Sequence, residues 1–142
     1  MPVAVAFNAR PKGRSAILAA MEWARVHETS VLVLHVQDTG VTGTAGLPAD
    51  DASVESVREQ VAAITADLTD PSTPQWQVIS LTSAGDVASA LLEMVRAHDV
   101  DVLVVGSQKR SELGKYLAGR TVQRVLLDSP VPVLVVKSSL KA

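Results

Sequence analysis

The chain has 142 residues, of which 47% are hydrophobic, so it suits one folded domain and is too apolar for intrinsic disorder. A net charge of −2 lacks the basic excess of nucleic-acid-binding proteins, and the lack of cysteine excludes disulfides, thiol chemistry and cysteine–zinc sites. No apolar run approaches the roughly 18 residues of a membrane span, so we expect a cytoplasmic protein with no nucleic-acid or membrane partner.

Five short apolar runs, mostly rich in valine, have the length and the boundaries of β-strands. They cover residues 3–7, 30–36, 77–81, 101–105 and 131–136. Helical periodicity fills the gaps between them, over 13–27, over 51–68, from Asp86, and from Gly119 or Arg120 to just before Pro130. The second helix has three candidate N-cap residues, Asp50, Asp51 and Ser53, and the third helix has Asp86.

Strands and helices therefore alternate as βαβαβαβαβ, which predicts an α/β fold with a parallel sheet and helices on both faces. We expect one Rossmann-like, doubly wound, five-stranded sheet with the order 3-2-1-4-5, formed by a single domain that covers residues 1–142. The fourth helix is expected to direct Val122, Val125 and Leu126 toward the core.

A ligand of such a sheet binds beyond the carboxyl ends of the strands, in the crevice between the first and fourth strands. The loops there cover residues 8–12 and 106–121, and the second contains glycines and four cations before a helix N-terminus. Backbone N–H groups and the helix dipole at such a terminus favour phosphate. Two interpretations stay open, because the glycines also suit ordinary turns and the cations also suit a solvated surface.

Four segments carry a family resemblance. They are VAVAFNARPKGRSAILAA at 3–20, Leu-His-Val at 34–36, DVLVVGS at 101–107 and VPVLVV at 131–136. Together they resemble the universal stress protein family over nearly the whole chain. In ATP-binding members of that family, the fourth loop carries Gly, two residues, Gly, nine residues, Gly, and then Ser or Thr.

The chain departs from that ATP motif at defined positions. Gly106 and Gly119 match the first and third glycines, whereas Lys109 occupies the second glycine position. Arg120 occupies the Ser/Thr position, although Thr121 follows immediately. A lysine is sterically penalised where a glycine adopts positive φ or lets a ligand approach the backbone.

The first strand departs as well, because Asn8 stands where ATP-binding members carry an aspartate. For a bound nucleotide, the resemblance implies adenine near the backbone of Val36, ribose near Asn8 and Gly106, and phosphates near Lys109, Gly119, Arg120 and Thr121. The implied cofactor is ATP or another adenine nucleotide with Mg²⁺.

Our hypothesis is a non-catalytic stress-response module that binds ATP weakly or not at all by the usual motif. One alternative is a nucleotide sensor, for ATP, AMP or another phosphorylated ligand, with a retuned basic loop. Another is a nucleotide-independent dimeric scaffold. An ATPase is disfavoured because no general base is apparent near the loop.

Other classes of site fit the sequence less well. The first turn lacks the G-x-G-x-x-G of a dinucleotide site, and no G-x-S-x-G elbow surrounds Ser107. His35 is interpreted as structural, and the sequence contains no spacing typical of metal ligands.

The last strand, from Val131 to Val136, is very apolar for the edge of a sheet. An exposed apolar edge promotes aggregation unless something covers it. Members of the resembled family commonly dimerise through this strand, so we expect a homodimer that pairs two copies of 131–136.

Overall fold

The computed structural model describes residues 1–7, 11–38, 50–68, 73–83, 85–108 and 120–138. The elements in chain order are β1 (Val3–Ala6), α1 (Pro11–Val26), β2 (Val31–Asp38), α2 (Asp51–Thr65), β3 (Trp76–Ser83), α3 (Val87–Ala97), β4 (Val102–Gln108), α4 (Arg120–Asp128) and β5 (Val133–Ser138). The strands form one parallel sheet in the order β3-β2-β1-β4-β5, which confirms the predicted topology.

The central strands are apolar on both sides because helices cover both faces of the sheet. Val3 and Val5 of β1 pack with α1 and α2 on one face, whereas Ala4 packs with α3 and α4 on the other. On α1 the predicted stripe of Ile17, Ala20, Met21 and Ala24 is fully or almost fully buried. No helix within the described ranges is long and apolar enough to cross a membrane.

The α4 prediction is partly wrong. Val122 and Val125 are buried as expected, but Leu126 is 46% exposed and Leu127 is 84% exposed. Leu126 lies one turn after Val122 and about 40° around the helix from it, so it stands at the edge of the buried face, on the side away from Val125. Leu127, about 100° further on, points outward.

Four strands extend further toward their carboxyl ends than their apolar runs predicted. They reach Asp38 in β2, Ser83 in β3, Gln108 in β4 and Ser138 in β5. Gln37 and Asp38 of β2 pair with Thr82 and Ser83 of β3. Ladder hydrogen bonds use backbone groups, so polar residues prolong a strand wherever a neighbouring strand offers partners. Gly106 therefore lies inside β4, paired with Val136, and not in the loop that was expected to start there.

Candidate functional site

The pairing of β1 with β4 stops before the carboxyl end of β4. Among the described residues, the register of β1 with β4 ends at Val5 and Val104, whereas β4 stays paired with β5 as far as Gln108. On the other side, the Phe7 backbone N–H donates to the Leu34 carbonyl at 3.0 Å, which keeps β1 beside β2. Strand order reverses between β1 and β4, which is the point where a crevice for a ligand is expected in such a sheet.

Four of the predicted site residues lie along this edge. Val36 is a partly buried residue near the end of β2, and Gly106 lies near the end of β4. Arg120 and Thr121 form the start of α4, where Thr121 is partly buried. The remaining predicted site residues, Asn8, Lys109 and Gly119, lie outside the described residues.

The four helices, each of which follows one of the strands β1 to β4, differ in the charge at their N-termini. Asp50 caps α2 and Asp86 caps α3, so carboxylates face the positive ends of the helices that begin away from the crevice. In contrast, neither α1 nor α4 has an acidic residue in its first turn, and the sequence places no carboxylate among the three residues before either helix. The described first turns of the two helices that border this edge therefore supply no carboxylate to their own N-terminal dipoles.

A polar cluster lies near the end of β2 on the opposite face of the sheet from Val36. The half-buried His35 has its Nδ1 3.3 Å from Ser80 Oγ on β3. Burial lowers the pKa of His35, and the nearby Asp50 carboxylate partly opposes that shift. Because His35 points to the face of Val33 and α2, it contacts neighbouring elements and not the Val36 face. These contacts support the structural interpretation of His35.

A second polar cluster joins α3 to α4. Nη1 of Arg124 donates to both carboxylate oxygens of Asp86 at 2.8 Å, and its Nη2 donates to Ser89 Oγ at 2.7 Å. Asp86 also accepts from the Ser89 backbone N–H at 3.1 Å as the cap of α3. The hydrogen bond from Arg124, followed by those from Ser89, lowers the pKa of Asp86 to about 2.

Sequence reasoning found only one half of this cluster. The Gly85-Asp86 pair predicted the cap of α3 correctly, but nothing in the local sequence marked Arg124 as its partner. The two residues are 38 positions apart, so only the packing of α3 against α4 brings them together.

Within the described ranges, no group of three or more histidine, aspartate or glutamate side chains could hold a metal ion. Among the described residues of this edge, the backbone N–H groups at the helix N-termini and the Thr121 hydroxyl are chemically suited to an anion.

Residues 1–137 match the universal stress protein family. A universal stress protein from Mycolicibacterium smegmatis is 33% identical over 135 residues, which are 95% of this chain and 96% of the relative. A universal stress protein from Mycobacterium tuberculosis is 32% identical over 143 residues, and the match covers 95% of this chain but 48% of the relative. The chain thus spans about half the length of that second relative.

Solved structures share the fold. A universal stress protein from Archaeoglobus fulgidus superposes with a TM-score of 0.73 at 21% identity, covering 96% of this chain and 98% of the other. The structure of the Archaeoglobus fulgidus protein in complex with dAMP gives 0.68 at 18% identity, with the same coverage. A universal stress protein in complex with cAMP gives 0.69 at 18% identity, covering 96% of each chain.

Proposed function

Because this chain belongs to the universal stress protein family, we propose that it is a binding and regulatory module, not an enzyme, with an adenine nucleotide as its ligand class. Neighbouring folds in complex with dAMP and cAMP support that class. The proposed site spans the crevice edge, within one domain formed by residues 1–142. Adenine lies near Val36, ribose near Asn8 and Gly106, and the phosphates near Lys109, Gly119, Arg120 and Thr121.

The observation that carries the proposal is the contrast in N-terminal charge between the four helices. Aspartate caps α2 and α3, whereas the helices beside the crevice, α1 and α4, begin without any carboxylate. A carboxylate beside the crevice would repel a phosphate, so this distribution favours an anionic ligand there. The helix N-termini beside the crevice thus remain suited to a phosphate.

The chain binds ATP more weakly than members that carry the complete motif. Lys109 replaces a glycine, so the backbone N–H groups of the loop approach a phosphate less closely. Arg120 replaces a small hydroxyl residue, and Asn8 replaces a carboxylate. The cations compensate in part, because Lys109 offers a point charge and Arg120 a planar guanidinium.

Calorimetric titration with ATP and Mg²⁺, and separately with AMP and cyclic AMP, tests this proposal. We expect Kd for ATP weaker than about 100 μM, near −5.5 kcal/mol. The double variant Lys109→Gly, Arg120→Ser is expected to bind ATP at least about tenfold more tightly, because it restores close backbone approach and a hydroxyl. Arg58→Ser on the exposed surface of α2 is the matched control. Tight ATP binding by the native chain would refute the weak-binding proposal.

A phosphate-release assay tests the proposal that the protein is not an enzyme. Purified protein incubated with ATP and Mg²⁺ is expected to release no phosphate above the buffer blank, because none of the proposed site residues carries a carboxylate or an imidazole that could act as a general base. Release that scales with protein concentration, and that the double variant alters, would assign an ATPase activity instead.

A second candidate function is that of a dimeric protein-interaction scaffold. β5 lies at the edge of the sheet, its residues Val133 to Val136 are only partly buried, and Leu127 on the neighbouring α4 is 84% exposed. A second copy that pairs along 131–136 would cover this edge. Sedimentation velocity at micromolar concentration is expected to give a dimer, and a monomer there would reject the homodimer.

A further inference from the structure

The Asp86–Arg124–Ser89 cluster fixes α4 in a way that apolar packing does not. Val122 and Val125 bury α4 among side chains of α3 and β4, but hydrophobic contact has no directional preference. Arg124 adds three hydrogen bonds of 2.7–2.8 Å to Asp86 and Ser89, and hydrogen bonds weaken steeply when misaligned. Arg124 therefore adds a directional constraint on the rotation and axial position of α4, from side chains that are 47% exposed at Arg124 and 53% exposed at Asp86.

The constraint that Arg124 places on α4 also acts on the proposed phosphate site, because α4 is only nine residues long. Arg124 lies about one turn after Arg120 and Thr121, whose backbone forms the N-terminus of the helix. Asp86 in turn caps α3, so Arg124 connects the second turn of α4 to the N-terminus of α3. A displacement of α4 about its axis would redirect the N–H groups of its first turn.

We propose that Arg124 is a positioning residue that, through Asp86, holds the first turn of α4 toward the crevice and so sets the affinity for ligand phosphates. Arg124 does not itself bind the ligand, because Asp86 and Ser89 occupy its guanidinium. This inference rests on the proposed nucleotide site. It attributes the orientation of the first turn of α4 to a contact that α4 makes with α3.

Three variants separate the possible roles. Arg124→Met keeps most of the side-chain stem and removes all three hydrogen bonds. Asp86→Asn keeps an oxygen that can cap α3 through the Ser89 N–H, and it removes the charge that Arg124 contacts. Asp128→Asn is the control, because it removes the other ion pair of Arg124, at 3.6 Å from Nε, and leaves the contact with Asp86.

The readout is the ratio of ATP affinity to adenosine affinity, followed by NMR titration in the native chain and in the Lys109→Gly, Arg120→Ser background. A misplaced helix dipole weakens binding of phosphates but not of the nucleoside. In both backgrounds Arg124→Met and Asp86→Asn are expected to weaken ATP binding about fivefold and to change adenosine binding less than about twofold. Asp128→Asn is expected to change neither ligand.

Each alternative result is decisive. If ATP and adenosine affinities fall equally, or if neither falls, Arg124 has a structural role at most and the positioning inference is overturned while the nucleotide site stands. If the native chain binds ATP tightly, the weak-binding proposal fails but the ratio still tests Arg124. If neither background binds ATP or adenosine, the nucleotide site and this inference fail together.

Discussion

Gln37 and Asp50 form a reciprocal pair of hydrogen bonds across 13 positions of the chain. Gln37 Nε2 donates to Asp50 Oδ2 at 2.6 Å, and the Asp50 backbone N–H donates to Gln37 Oε1 at 3.2 Å. The other carboxylate oxygen of Asp50 accepts from the Ser53 N–H at 2.8 Å. One aspartate therefore caps α2 and joins that helix to the carboxyl end of β2.

Substitution of Gln37 tests how much its two hydrogen bonds with Asp50 contribute to the stability of the fold. Gln37→Leu is expected to lower the thermal midpoint, because Asp50 loses the 2.6 Å hydrogen bond that joins it to β2. Gln37→Glu is expected to lower it further at pH 7, where two carboxylates would face each other, and to recover in part at pH 4. Gln60→Leu, which breaks only a 3.2 Å contact with Ser56 inside α2, is the control. Equal midpoints for Gln37→Glu at both pH values, after correction for the native chain, would contradict this account.

Glu28 and Gly85 both have positive φ angles. We therefore expect stability to rise when glycine replaces Glu28 and to fall when alanine replaces Gly85. Glu28 has a φ of 53° after α1, where Thr29 N–H donates to the Ala24 carbonyl at 2.9 Å, as in a Schellman motif. Glu28→Gly is expected to raise the free energy of unfolding by about 0.5–1 kcal/mol. Gly85 has a φ of 103°, and an added Cβ meets nothing within 4 Å, so Gly85→Ala is expected to cost about 1–2 kcal/mol through the backbone alone. Urea unfolding measures both, and destabilisation by Glu28→Gly would contradict the prediction.

Burial of His35 makes stability depend on pH. Burial lowers the pKa of His35 below its ordinary value of 6.5, so the unfolded chain takes up a proton at a higher pH than the folded chain does. The free energy of unfolding therefore falls as pH drops below about 6.5, until the folded His35 is itself protonated. His35→Gln is expected to flatten this slope between pH 7 and pH 5 in urea unfolding. An unchanged slope in that variant would assign the dependence to other groups.

The sequence predicted those parts of the fold that follow from local pattern. Runs such as the valines around Val104 identified every strand, and Gly85-Asp86 identified the cap of α3. The partial exposure of Leu126 was not predicted, because apolar character alone does not show how wide a face of a short helix is covered. Contacts such as Arg124 with Asp86 depend on how two helices pack, which no local pattern specifies. All the site assignments stay predictions, since they rest on the family motif, and three of them, Asn8, Lys109 and Gly119, also lie outside the described residues.

The pKa of Asp86 provides a direct measure of its contact with Arg124. The pKa is lowered from its ordinary 3.8 to about 2, chiefly by the hydrogen bond from Arg124. A depressed carboxyl pKa stabilises the fold above about pH 4 and loses that effect as pH falls toward 2. Carbon-detected NMR titration of Arg124→Met is expected to move the pKa of Asp86 back toward 3.8, whereas Asp128→Asn is expected to leave it low. If Arg124→Met leaves it low as well, Ser89 alone holds the carboxylate, and α4 is not fixed through Asp86.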